Sequence, residues 1–364
     1  MYLSLRDITF ARGRFALIGA VVALITLLLV LLTGLTNGLG HQNISALERL
    51  GAQRFVFSAP ADDSGQPTFT ESQITGDQFQ GWQDAVGDTD VERIGLTQTR
   101  AQAGPNTGAT SVAVLGLEAG TALAPDLRAL DGATHPGPGE AVLSQSVAEN
   151  LGAAVGDTVE LSTTKLTVTG ITQDEYYSHI PVVWAAMADY PDIAHLDQDV
   201  EATTLALTAD TPAANAGAGT GTVTTDTRGA FAALPAYQSE RGSLLMMQGF
   251  LYGISALVVV SFLTVWTIQR TRDIAVLRAL GASRAYLVRD SLGQAAVVLL
   301  AGVLAGGLVG AGIGAAASTV VPFTLSPTTA LLPALGVFAL GVAGSLLAVR
   351  RVSSVDPLLA LGGN

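Results

Sequence analysis

The residues best equipped for chemistry stand at the ends of long apolar runs. His41 and Glu48 are seven positions apart, close to two helical turns, and Met246, Met247 and Phe250 open a second apolar run two hundred residues later. Imidazole, carboxylate and thioether groups are donors to a haem iron; Glu48 and Met247 make the preferred pair, His41 and Met246 the substitutes, and Phe250 adds an aromatic face. The same residues equally suit plain packing, since paired methionines adapt to irregular neighbours and polar side chains collect at a membrane interface. No other metal site is expected, because His41, His135, His179 and His195 lack HExxH or paired spacing; His135 and His195 read as solvated loop residues. A GxxxxGK[ST] phosphate loop is missing and the sole lysine, Lys165, falls in a strand, so the chain has no ordinary ATP site. With no acid/base pair standing out by spacing, neither enzymatic activity nor an intrinsic cofactor is expected.

A second polar stretch, Gln269–Asp290 (QRTRDIAVLRALGASRAYLVRD), lies between two apolar runs. At helical spacing Ile274, Leu277 and Leu280 form a stripe with Ala275 and Ala279, while Arg270, Arg272, Asp273, Arg278 and Arg284 cover the remainder. Gly281 can stop this helix with a left-handed residue, and Ser283 can cap the next. The stripe suits either a groove on a partner or the surface of a membrane.

Such residues need elements to hold them, and composition says which. Nearly half of the 364 residues are hydrophobic, and the mean hydropathy of +0.45 marks a mixed membrane protein. There is no cysteine, so disulfides and thiolate metal sites are excluded. Charge is divided by location: ten basic residues against four acidic ones flank the apolar runs, whereas His41–Ser243 holds eight basic and 26 acidic residues. The positive-inside rule then places both termini and the Gln269 stretch in the cytoplasm and the acidic part outside, in a multi-pass protein of the cell membrane.

The fold class expected is a membrane α-helical protein of four transmembrane helices, with an α+β extracytoplasmic domain between the first and second. The expected divisions are an interfacial helix at 1–14, a first span with an outer extension at 15–50, and the outer domain at 51–243. The second span follows at 244–268, a cytoplasmic helix at 269–285, the third and fourth spans at 286–321 and 328–349, and a cytoplasmic tail at 350–364. Within the domain, SVAVLG (111–116), DTVELS (157–162) and KLTVTGI (165–171) alternate as half-buried strands should, and EAVLSQSVAENLG (140–152) reads as a strand entering a helix capped by Ser144 or Ser146. Ala213–Thr227, rich in Ala, Gly and Thr, reads as a loop. On the first helix His41, Ile44 and Glu48 are expected along one face. Gly302, Gly306, Gly310 and Gly314 repeat every four residues and predict close helix packing; Gly336, Ala339 and Ala343 predict a similar face on the fourth span.

The run RDIAVLRALGAS resembles the FtsX/MacB-like family of ABC permeases, which includes cell-division and macrolide-export members, and GEAVLSQSVAENLGAAVGDTVEL and the ending RRVSSVDPLLALGG extend the likeness. The resemblance implies that the Gln269 helix is the coupling helix, with Arg272, Asp273, Ile274, Leu277, Arg278, Leu280 and Gly281 at the contact with a cytoplasmic ATPase. It further implies a permease homodimer in membrane lipid and separate ATPase subunits that hold ATP and Mg, with no role for nucleic acid. The compact layout and LRDITFARGRF resemble haem-exporting permeases within this family, implying haem as substrate, captured laterally from the outer leaflet. Peptides, macrolides and lipoproteins are the alternative substrates; a non-transporting regulator of an outer hydrolase or sensor is the alternative function.

Overall fold

The computed structural model describes residues 12–60, 66–104, 108–120, 123, 127–208, 221–269, 276, 281 and 283–353. The chain divides into a β-domain unit, Gly40–Arg241, and a helical unit made of Met1–Leu39 and Gly242–Asn364.

The first helix, α1 (Arg12–Arg49), carries a long apolar run and stops at Gly51, where φ is +63°. There follow β1 (Arg54–Ser58), β2 (Ile74–Thr75), α2 (Gly76–Val86), β3 (Val91–Gln102), β4 (Thr110–Leu117), β5 (Ala129–Gly132) and β6 (Glu140–Ser144). Next come α3 (Gln145–Leu151), β7 (Thr158–Leu161), β8 (Thr164–Thr172), β9 (Tyr176–Tyr177), β10 (Ile180–Ala186) and α4 (Tyr190–Ala194). The unit closes with β11 (Val200–Ala202), β12 (Thr204–Leu207), β13 (Thr222–Asp226), α5 (Thr227–Ala232) and the start of α6 (Pro235–Gln269).

The strands form an eleven-stranded sheet in the order β13-β1-β12-β3-β4-β10-β6-β8-β5, with β7 and β9 attached at its side and β11 paired to β2 separately. The run SVAVLG is not half-buried as its alternation suggests. It lies in β4, between β3 and the parallel β10, and Val112–Leu117 are all buried. Ala113, Leu115, Val182 and Trp184 point into a core with Phe55, Phe57 and Phe69, whereas Val112, Val114, Val183 and Ala185 point into another with Leu143, Val147 and Leu151. Alternation sends successive side chains to two different cores, so a central strand covered on both faces is apolar throughout. Gly95 and Gly116 face each other across β3 and β4 and leave a slot filled by Tyr190, whose hydroxyl is 2.8 Å from Thr203 Oγ1. Ser144 occupies the position before α3 but donates to the Val182 carbonyl at 2.6 Å instead of capping the helix. The segment read as a loop is partly regular: Thr222–Asp226 is β13 and pairs with β1, while 213–220 lie outside the described residues.

The helical unit comprises the greater parts of α1 and α6 with α7 (Arg284–Ala317) and α8 (Pro327–Ser353). All four helices are long and apolar enough to cross a membrane. α6 begins at Pro235, well before its hydropathic run, because proline fits a helix start and Ala236, Gln238, Glu240 and Arg241 are good helix formers although most are polar. Ser283 caps α7, accepting from Tyr286 N at 3.2 Å, and the preceding Gly281 has φ of +97°. The glycine series of α7 packs on α1. A Cβ at Gly302 would lie 2.8 Å from the Gly19 carbonyl, one at Gly306 would overlap the Ala23 carbonyl, and one at Gly310 would lie 3.2 Å from Val30. Gly314 and Gly34 make room for the ring of Phe323, and Thr324 N donates to the Gly34 carbonyl at 3.1 Å. The small face of α8 differs from the one predicted. Ala339 and Ala343 are exposed, and Gly336, Gly341 and Gly344 receive Tyr252, Leu299 and Val260 instead, because each must admit a side chain where alanine would collide.

Candidate functional site

In the β-domain unit the last turns of α1 carry His41 and Glu48, both exposed, while Asn43, Ile44, Ser45, Ala46 and Leu47 between them are buried. Ile44 therefore does not share their face; it belongs to the core with Phe55 and Phe57. What covers this side of the helix is the β9–β10 hairpin. Ser178 N donates to the Asn43 carbonyl at 3.0 Å and His179 N to the Gln42 carbonyl at 2.8 Å. Tyr176 N donates to Ser45 Oγ at 2.8 Å, and Arg49 Nε reaches Glu175 Oε1 at 2.6 Å. The His179 ring Nε2 lies 3.0 and 3.1 Å from the two carboxylate oxygens of Glu240 on α6 and 3.1 Å from Asn43 Nδ2, which donates to the same carboxylate at 3.0 Å. Sequence reasoning missed Glu175, His179 and Glu240. Their only signal would have been charges set within strand and helix starts, because their partners are more than sixty residues away.

Tyr176, in the same hairpin, has its phenol pushed up to about 12 by burial and the neighbouring Asp174. His195, read as a solvated loop residue, places Nε2 2.8 Å from Ser162 Oγ. Among the described residues no group of three or more His, Asp or Glu is arranged to hold a metal ion.

In the helical unit α6 has two unlike sides. Ser255 and Val259 are buried, Gln248 donates to Thr36 Oγ1 at 3.1 Å, and Tyr252 meets Gly336. Met246, Met247, Phe250, Ile254 and Leu257 are exposed, with Phe250 at 65% and Leu257 at 68%. Gly249 and Gly253 on that side have open space where a side chain would stand. An exposed apolar side smoothed by glycines is a surface for lipid or for another helix. Of the coupling residues, Gly281 is described; Arg272, Asp273, Ile274, Leu277, Arg278 and Leu280 lie outside the described residues, as does most of the interfacial helix at 1–14 and the end of the tail.

Four helices long and apolar enough to cross a membrane, with a β-rich domain in the chain between the first and second, define a polytopic membrane protein. The MacB-like periplasmic core domain model matches residues 15–220, more than half of the chain, and the FtsX-like permease C-terminal model matches 245–357. The chain belongs to the FtsX/MacB family of ABC transporter permeases. It is similar to a Staphylococcus haemolyticus protein named as the permease HrtB of a hemin transport system, 25% identical over 100% of this chain and 99% of that one. An uncharacterized ABC transporter permease of Mycobacterium bovis is also 25% identical, covering 100% and 99%. Among solved structures, the periplasmic region of MacB from Actinobacillus actinomycetemcomitans aligns at 11% identity over 51% of this chain and 93% of that chain, with a TM-score of 0.36. The extracellular domain of the ABC-type transporter YknZ from Gram-positive bacteria aligns at 15% identity over 44% and 85%, with a TM-score of 0.34.

Proposed function

We propose that this permease exports haem, taken laterally from the outer leaflet, with Glu48 and Met247 as iron ligands and His41 and Met246 as substitutes. One observation carries the proposal. An exposed carboxylate and an exposed thioether occur on the two helices that flank the β-domain, in a chain aligned end to end with a permease named for hemin transport. Haem is amphipathic, so a site near the headgroups takes its apolar ring, beside Phe250, while the propionates stay near water. Two permease copies pair, and the glycine-smoothed side of α6 suits such a contact. Energy comes from two separate cytoplasmic ATPase subunits holding ATP and Mg, since the sequence has no phosphate loop of its own. The charge division favours cytoplasmic termini and an extracytoplasmic β-domain.

The test is a haem titration of the purified full-length chain, with and without its ATPase, followed in the Soret band. Saturable one-site binding is expected in the wild type, weakened at least tenfold in Glu48→Ala and in Met247→Ala, as when one charged or coordinating partner is removed. Weak, non-saturating uptake by the wild type would end the haem proposal and pass the question to peptides, macrolides and lipoproteins. A stable outer partner without any translocated substrate would favour the regulatory role.

Coupling is assigned to the 269–285 helix, whose Leu277 stripe enters a groove on the ATPase. Leu277→Asp sets a charge in that stripe and is expected to lower co-purification of the ATPase while haem binding persists. Undiminished co-purification would remove the contact.

A further inference from the structure

Arg49 follows Glu48 directly, yet the two side chains serve different neighbours. Successive helical residues point roughly 100° apart. Arg49 turns to the hairpin and meets Glu175 at 2.6 Å, whereas Glu48 remains exposed. Glu175 is an unusual partner, for its side chain is only 5% exposed and its Oε2 has no hydrogen-bond partner among the described residues. A desolvated carboxylate holds a nearby guanidinium tightly, because only that cation compensates its buried charge. The hairpin that carries Glu175 is itself fixed. Ser178 and His179 both take left-handed backbone angles, φ of +50° and +66°, unusual for residues other than glycine. Their N–H groups bond to carbonyls of α1, and the His179 ring is held by Glu240. Glu175 therefore stands on a support attached to α1 on one side and to α6 on the other. The charges acting on the Glu48 carboxylate are His41 and Arg49, which attract it, and Glu175, which repels it.

We propose that Glu175 is a positioning residue for the substrate site: by holding Arg49 against the hairpin it keeps the neighbouring cation from pairing with Glu48, whose carboxylate stays available to a metal centre. The inference rests on the proposal that Glu48 ligates haem iron. If Glu175 loses its charge, Arg49 becomes an unpaired cation one residue from Glu48 and competes with the iron for it through charge-assisted hydrogen bonds.

Haem titration of the purified full-length chain decides the matter, with Glu175→Gln and the double variant R49Q/E175Q. Glutamine keeps the shape of Glu175 and removes its charge. Glu175→Gln is expected to weaken haem binding roughly tenfold, the scale of a competing charged hydrogen bond. The double variant lacks the competing cation and is expected to return to within about twofold of the wild type. That recovery separates positioning from a merely structural role, in which a second substitution would add damage. Wild-type affinity in Glu175→Gln overturns the inference, as does a double variant that unfolds at the wild-type temperature yet binds no better than the single one. If Glu175→Gln does not fold, the double variant decides alone, and a tenfold loss there overturns the inference. Both outcomes leave Glu48 as a ligand; absence of saturable binding in the wild type overturns the haem proposal and this inference together.

Discussion

Gly306→Leu is expected to prevent the helical unit from assembling. A Cβ at Gly306 would overlap the Ala23 carbonyl oxygen and lie 2.9 Å from the Ala23 Cα. These are backbone atoms of α1, which cannot swing aside as a side-chain tip can. Separating the helices to admit leucine would also open the contacts at Gly302 and Gly310, so the cost exceeds the roughly 1–3 kcal/mol of ordinary overpacking. Gly307 supplies the control, because nothing lies within 4 Å of a Cβ built there. Thermal unfolding and monodisperse yield in detergent should be wild-type for Gly307→Leu and collapse for Gly306→Leu. Equal behaviour of the two variants would show that α7 does not depend on this close approach to α1.

Trp184→Ala should be the most damaging single truncation in the β-domain. Trp184 is 0% exposed on β10, between β4 and β6, and fills the core shared with Phe55, Phe57 and Phe69. Emptying such a site costs about 3–5 kcal/mol, the lost transfer energy plus a cavity that a central strand cannot collapse. At about 2–4 °C per kcal/mol for a domain of this size, the unfolding midpoint should fall by roughly 10 °C. Trp184→Phe is expected to lose much less. It leaves a smaller void and removes an indole N–H that is buried without a hydrogen-bond partner among the described residues. Scanning calorimetry of the three proteins measures both effects, and a midpoint for Trp184→Ala within 2 °C of the wild type would contradict the central placement of this side chain.

Sequence reasoning reached the helical architecture because the bilayer demands long apolar runs, and such runs are local in the chain. The glycine series of α7 was legible for the same reason: its four-residue period is one helical face. On α8 the glycines that pack, Gly336, Gly341 and Gly344, keep no single period, and the alanines that do keep one are exposed. The early start of α6 was hidden because Pro235–Ser243 is polar, and hydropathy detects membrane rather than helix. The β-domain was legible as a class, although SVAVLG looked half-buried until its place between β3 and β10 showed cover on both faces. The hairpin support was illegible. His179 is 136 positions from Asn43, and Glu240 is 197 from it, and no local pattern announces a charge that will be buried by a partner so remote.

The β-domain begins and ends on neighbouring strands. Arg54 of β1 stands opposite Asp226 of β13, so the domain's entry and exit are separated by about one strand spacing, near 4.8 Å. A domain with adjacent ends is a cassette: it can be removed, or another with neighbouring terminal strands put in its place, without stretching the chain at either junction. Recombination at the two short segments Leu50–Gln53 and Ala233–Leu234 would exchange the strands of the domain while retaining both flanking helices, with His41 and Glu48 on α1 and Met246, Met247 and Phe250 on α6.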